Sequence, residues 1–280
     1  MISTTPGAVK SPWFNKLYPP IAQIPVLSDG QTLQLEELLK REPQVALISN
    51  AKMGEELKKA GVPAVNVSFI TFDGLKKTVR TTAEVLGGDA PKIAEQYVRE
   101  LEDNIAFVSE RLAQVKESDK PVVLHIVAGN NLQKVDGGHS IIGDWVLKGG
   151  GRNALPEQGN MVEVSMEELV QANPDIIIIG SGNSQQAFDA VEKILRDPVW
   201  QSISAVKNKK VLVNPKGVYT WDRYSTEEAL QVLWAAKTFH PDLFQDLDLV
   251  KRTQDFYQKY YHYDLSQADA ELILQGRDPH

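Results

Sequence analysis

The apolar runs VALI (45–48), VVLHIV (122–127), IIII (176–179) and VLV (211–213) stand out along the chain because they do not alternate with polar positions. Runs of that kind suit parallel strands covered on both faces by helices. Two of them close the same local plan. LQLEELLKREPQVALIS (33–49) and VSMEELVQANPDIIIIG (164–180) each place an EEL helix start (Glu36, Glu37 and Leu38; Glu167, Glu168 and Leu169), then Pro43 or Pro174, then a strand-like run. Proline ends the helix and the β-rich segment follows. The repetition predicts two α/β lobes of similar topology.

Between the lobes the continuous apolar runs give way to a helical period. Ile93, Tyr97, Val98, Leu101, Ile105, Val108, Leu112 and Val115 recur at spacings of three and four, the stripe of an amphipathic helix. At 1.5 Å per residue, roughly 27 residues extend about 40 Å. The predicted fold class is therefore α/β: two similar lobes with parallel-rich central sheets, joined by one long linking helix. The predicted boundaries are an N-terminal lobe over 1–88, the helix over 89–118 and a C-terminal lobe over 119–280.

Composition narrows the partners. With 280 residues and 42% hydrophobic positions the chain can bury a sizeable core. A net charge of −7 argues against nucleic acid or an anionic membrane surface as the main partner. The absence of cysteine excludes disulfides, thiolate metal sites and a cysteine nucleophile. The opening MISTTPGAVKSPWF lacks the basic and apolar regions of a signal peptide, and no run of about 18 apolar residues occurs. On these features the chain is either cytosolic or already free of a targeting segment, with no membrane insertion expected.

In open parallel sheets ligands bind beyond the carboxyl ends of strands, so the segments after each run carry the candidate chemistry. These are SNAKMGEE, AGNNLQKVDGGHS, GSGNSQQ and GVYTWDRYSTEE, with TTPGAVKSPWFNKLYPP after a short strand expected at 1–4. In the last of the four, Ser225 and Glu228 read as a capping box that starts a helix near Thr226. Trp221 and Arg223 then sit just ahead of a helix N-terminus, where free N–H groups and the dipole favour an anion. A guanidinium adds a planar fork suited to carboxylates, phosphates or other oxyanions. The alternative is structural: Trp221 packs between the lobes and Arg223 pairs with Asp222 or Asp144.

His139 follows Gly137 and Gly138 and precedes Ser140, a helix N-cap. It either meets a ligand or metal, or is an ordinary exposed side chain. His125, inside an apolar run, reads as a satisfied core residue. KGGGRN (148–153) has no Gly-Lys-Ser/Thr ending and follows a helix, so a helix C-cap is the better reading than a phosphate loop. The tyrosine-rich FYQKYYHYDL reads as a packed helix end. No H-E-x-x-H, G-x-S-x-G or strand-borne G-x-G-x-x-G occurs, which lowers the case for catalysis.

GHSIIGDWVLKGGGRN, LVQANPDIIIIGSG, the segment from DPVWQSISAVKNKKVLV through TWDRYSTEEALQVLW to HPDLF, and FYQKYYHYDLSQADAELIL resemble the long-helix-linked substrate-binding proteins of ABC importers. That family handles iron-siderophores, haem, cobalamin and, in one branch, molybdate or tungstate. The resemblance implies a non-enzymatic, extracytoplasmic receptor, periplasmic or on the cell surface. It implies a monomer without a cofactor that captures a metal chelate or oxyanion between its lobes and docks on a permease dimer. By position the implied ligand residues are Trp13, Phe14, Asn50, Ala51, Lys52, His139, Ser140, Tyr219, Trp221 and Arg223, with His139 or Tyr219 as direct contacts. The implied docking acids are Glu55 or Glu56 and Asp222, Glu227 or Glu228; a solvated helix face is the alternative for these. Family members carry a strand-helix unit ahead of the segment that starts here at Met1, so the resemblance implies an N-terminal lobe lacking that first unit. Two other functions remain open at this level: a metal-chelatase-like enzyme on a two-lobed scaffold, and a member that binds only a partner.

Overall fold

A computed structural model of the chain describes residues 1 and 3–280. The strand expected at 1–4 includes Ile2, which lies outside the described residues; Thr4 forms an isolated parallel bridge with Val26. The chain divides into two compact units, Met1–Phe69 with Asp73–Val98, and Ile70–Phe72 with Arg99–His280.

The first unit holds two parallel strands, β1 (Ala46–Ile48) and β2 (Ala64–Asn66), paired Ala46 to Ala64. The helix Leu35–Leu39 precedes β1, and the helix Ala51–Lys59 connects the two strands. Leu38, Met53, Leu57 and Val62 bury together with Leu27 to form its core. The helix–proline–strand plan read around Pro43 is present here, and around Pro174 in the second unit, where the helix Met166–Ala172 leads to a strand. The similarity between the halves stops at that plan, because the second sheet is larger.

That sheet has six strands: β3 (Val122–Ala128), β4 (Asn131–Asp136), β5 (Arg152–Asn153), β6 (Val162–Glu163), β7 (Ile176–Ile179) and β8 (Val211–Val213). Its order is β6-β4-β3-β7-β8, with β5 sharing β3. β3, β7 and β8 run parallel, and every residue of β7 is buried, as a strand covered on both faces must be. The helix Ser184–Arg196 buries Ala187, Ala190 and Ile194 at spacings of three and four, starts on the Asn183 cap and stops before Pro198.

One antiparallel strand and the long helix depart from the sequence reading. AGNNLQKVDGGHS, read as one ligand loop, contains β4, which turns back on β3 and pairs Asp136 with His125. Exposure alternates over Asn131 to Lys134, as in a half-buried strand, before Val135 and Asp136 are both buried. The expected helix over 89–118 is shorter and runs Ala90–Leu112. It tightens at its end, where Ala113 and Val115 N–H groups bond the carbonyls of Glu110 and Leu112, three residues back. A separate helix, Phe72–Leu86, precedes it. The KGGGRN segment ends the helix Ile141–Lys148 in a Schellman arrangement: Gly151 N–H to Val146 O at 2.8 Å and Gly150 N–H to Leu147 O at 3.1 Å, with Gly150 at φ +85°.

Candidate functional site

The β3–β4 register sets His125 opposite Asp136 in the interior of the second unit. His125 Nδ1 lies 2.9 Å from Asp136 Oδ2, and Nε2 lies 3.0 Å from Asp222 Oδ2. Arg223 Nη2 donates to the same Asp136 oxygen at 2.5 Å, and its Nε is 3.6 Å from Asp222. The other Asp136 oxygen accepts the Met161 N–H at 2.9 Å. A neutral imidazole holds one N–H proton and cannot donate to two carboxylates. Two carboxylates facing its two nitrogens therefore favour the imidazolium. Burial opposes that charge, but Asp136 and Asp222 outweigh it and raise the His125 pKa. Burial likewise opposes the Asp136 and Asp222 charges; His125 and Arg223 hold both carboxyls below their ordinary range. With both cations and both anions ionised, the formal charge of the cluster is zero. Trp145 meets the His125 ring edge-on at 6.1 Å and donates its Nε1–H to the Asp222 carbonyl.

The loop that follows β8 is organised by a second buried carboxylate. Glu227 Oε1 accepts from Val218 N at 3.2 Å, from Trp221 Nε1 at 3.1 Å and from the Tyr257 hydroxyl. Its Oε2 accepts from Tyr219 N at 3.0 Å and from Ser225 Oγ at 3.3 Å. Burial pushes the Glu227 carboxyl up, against the pull of these hydrogen bonds. Burial, followed by the Glu227 charge, drives the Tyr257 phenol well above its ordinary value. Along this loop Val218, Trp221, Asp222 and Arg223 are buried, whereas Tyr219 and Tyr224 remain 40% and 42% exposed. Asn160 Nδ2 donates to the Tyr224 hydroxyl at 3.1 Å.

Several sequence expectations change at this point. Trp13 and Trp221 are fully buried, so neither offers an open ring face. Arg223 is also buried, and its charge is taken up by Asp136 and Asp222; the structural alternative holds, with Asp136 in place of Asp144. Asp144 instead accepts from Lys148 and from the Phe72 N–H. Asp222, Glu227 and Glu228 are almost wholly buried and cannot serve as surface docking acids. The helix predicted near Thr226 begins at Glu228. Ser225 Oγ accepts from the Glu227 N–H, and only half of the box forms, Ser225 N–H to Glu228 Oε1 at 3.3 Å.

Other residues fall closer to their predicted settings. Ser140 caps the helix Ile141–Lys148 by accepting the Gly143 N–H at 3.1 Å, and His139 beside it is exposed. Asn50 caps Ala51–Lys59, accepting from Lys52 and Met53 N–H groups, which commits its side-chain oxygen. Ala51, Lys52 and Glu55 are exposed, and Phe14 and Glu56 half-buried. Phe256 and Tyr257 pack inside, as expected of a helix end. Sequence reasoning missed Asp136 and Tyr257 as organisers of the site. The available signal was His125 itself: an ionisable ring inside an apolar run requires buried partners.

Residues 4–217 match the periplasmic binding protein family. The molybdate-binding protein MolA of Haemophilus influenzae is 28% identical over 272 residues, covering 88% of this chain and 75% of MolA. A periplasmic solute binding protein from Veillonella parvula is 28% identical, covers 98% of this chain and 84% of its own, and superposes with a TM-score of 0.82. The structure of the H. influenzae ABC-transporter protein MolA bound to molybdate shares the fold, with a TM-score of 0.80 at 24% identity over 92% of this chain and 84% of that one. No helix among the described residues is long and apolar enough to cross a membrane.

Proposed function

Because the chain belongs to the periplasmic binding protein family, we propose that it is the extracytoplasmic binding component of an ABC importer, carrying a metal oxyanion or a metal chelate to a permease without chemical change. The observation that carries this reading is the match to the molybdate-binding MolA across 88% of the chain. Molybdate or tungstate is accordingly the first cargo to test, with ferric siderophores, haem and cobalamin as the chelate arm. Exposed Tyr219, Tyr224 and His139 are the cargo-facing groups of the second unit in this reading. Phenol and imidazole donors suit oxyanion oxygens and metal-chelate edges alike. Arg223, already neutralised by Asp136 and Asp222, acts in this reading through the loop that carries Tyr219 and Tyr224. Glu55 and Glu56 remain the acids available on the first unit for a permease.

A thermal-shift panel of these cargoes tests the reading. A ligand at 100 times its Kd adds about 2.7 kcal/mol of stability, which moves the midpoint on the order of 5 °C. A shift with one class supports the receptor and identifies its cargo. Turnover of a tetrapyrrole with a divalent metal would replace the receptor by a chelatase.

A further inference from the structure

Glu227 is the one carboxylate in the 217–228 segment whose two oxygens gather donors from both sides of the loop. Val218 N, Tyr219 N, Trp221 Nε1, Ser225 Oγ and the Tyr257 hydroxyl converge on it. The loop closes tightly around this group: Gly217 N–H bonds Tyr219 O at 2.9 Å, Trp221 N–H bonds Pro215 O at 3.2 Å, and Lys216 bridges to Thr220. The approach is so close that a Cβ at Gly217 would collide with both Tyr257 Oη and Glu227 Oε1. Residues flanking the two exposed tyrosines turn inward, and Tyr224 is held at φ +57°, a left-handed conformation that a bulky side chain adopts only under constraint. Packing alone does not account for two large amphipathic rings facing outward from a loop whose other bulky side chains are covered. A rigid mould that presents them does, because fixing a contact group before binding removes the ordering that would otherwise oppose binding.

We propose that Glu227 is the positioning residue of the cargo loop, shaping 217–225 so that Tyr219 is presented outward to cargo. The role rests on the proposed function, since it assigns Tyr219 a ligand to meet. Glutamine at 227 tests it sharply. If the amide oxygen keeps the Oε1 position with its three donors, the amide nitrogen faces the Tyr219 N–H, donor against donor. The Tyr219 amide then loses its acceptor while the fold keeps its core.

The experiment compares wild type, Glu227→Gln, Tyr257→Phe and the core control Ile194→Val in the full chain, reading amide exchange by residue and then molybdate affinity by calorimetry. The expected result is exchange at Val218 and Tyr219 roughly tenfold or more faster in Glu227→Gln, with amides of Ile176–Ile179 unchanged. Molybdate affinity falls at least about tenfold in that variant and stays at the wild-type value in Ile194→Val, a control that a general stability effect would not separate. Should Glu227→Gln fail to fold, Tyr257→Phe reads the same loop through Val218, whose N–H also reaches the Tyr257 hydroxyl at 3.3 Å. Unchanged loop protection overturns the mould whatever the wild type binds. Lost protection with unchanged molybdate affinity overturns the positioning role. Lost protection in a protein whose wild type binds no member of the cargo panel removes the proposed function, and with it the assignment of Tyr219 to cargo, and leaves the mould as a property of the fold.

Discussion

Arg223 and Asp136 lie 87 residues apart in the chain, and Nη2 of the one donates to Oδ2 of the other at 2.5 Å. The contact ties the loop after β8 to the end of β4, and through His125 to the centre of the sheet. A cation read from sequence as a counter-charge for cargo is, in the fold, half of a neutral buried cluster. Replacing Arg223 with alanine leaves Asp136 and Asp222 sharing one imidazolium in the interior. The expected loss is about 3–5 kcal/mol, the range for breaking a buried pair, measured by urea unfolding of the unliganded protein. A loss within about 0.5 kcal/mol, typical of a surface substitution, would show that the pair is solvated.

The cluster also sets a pH profile. Asp136 and Asp222 have depressed pKa values, so their contribution is present above the unfolded carboxylate value of about 3.9 and is lost as pH falls through the folded values. His125 has a raised pKa, so its contribution is complete below its unfolded value of about 6.5 and is lost as pH rises through the folded value. Melting temperature should therefore decline on both the acid and the alkaline side of a mildly acidic maximum. In His125→Asn the alkaline decline attributable to this group should flatten. A wild-type profile that keeps rising above pH 7 would contradict a charged His125.

Gly143 sits in the helix Ile141–Lys148, where alanine ordinarily gains roughly 0.5–1 kcal/mol over glycine. Here a Cβ would strike the Gly138 carbonyl, the turn that brings β4 into the helix. Gly143→Ala should lower the melting temperature despite better helix propensity, and a rise would mean that the 137–140 turn yields.

Tyr219→Ala should separate stability from binding. The residue is 40% exposed, and the change should alter unfolding by within about 0.5 kcal/mol. Cargo affinity should fall by about tenfold or more, the loss of one well-placed contact worth about 1.4 kcal/mol. Equal affinity in a titration of both proteins would take Tyr219 out of the site.

Strands β1, β3, β7 and β8 and the helix–proline–strand plan were legible because apolar runs and prolines act locally: Ile176–Ile179 needs only burial on both faces, and Pro174 only its missing N–H. The Schellman glycines were legible for the same reason. The charge cluster was not, since it depends on the β3–β4 register, which a reading of 128–140 as one loop erased. Asp222, Glu227 and Glu228 were misread for a related reason. Acids next to a helix start ordinarily face water, and the donors that keep Glu227 inside include Tyr257, thirty residues further along. Tyr219, by contrast, was named through the family resemblance, and it is among the residues that remain exposed.

The most direct measurement is a calorimetric titration of the unliganded protein with molybdate and tungstate, followed by a ferric siderophore, haem and cobalamin. Saturable one-to-one binding of a single cargo class, recovered unchanged after release, is the expected result. No heat and no saturation with any of them, in a protein that melts cooperatively, would contradict an importer receptor for metal cargo.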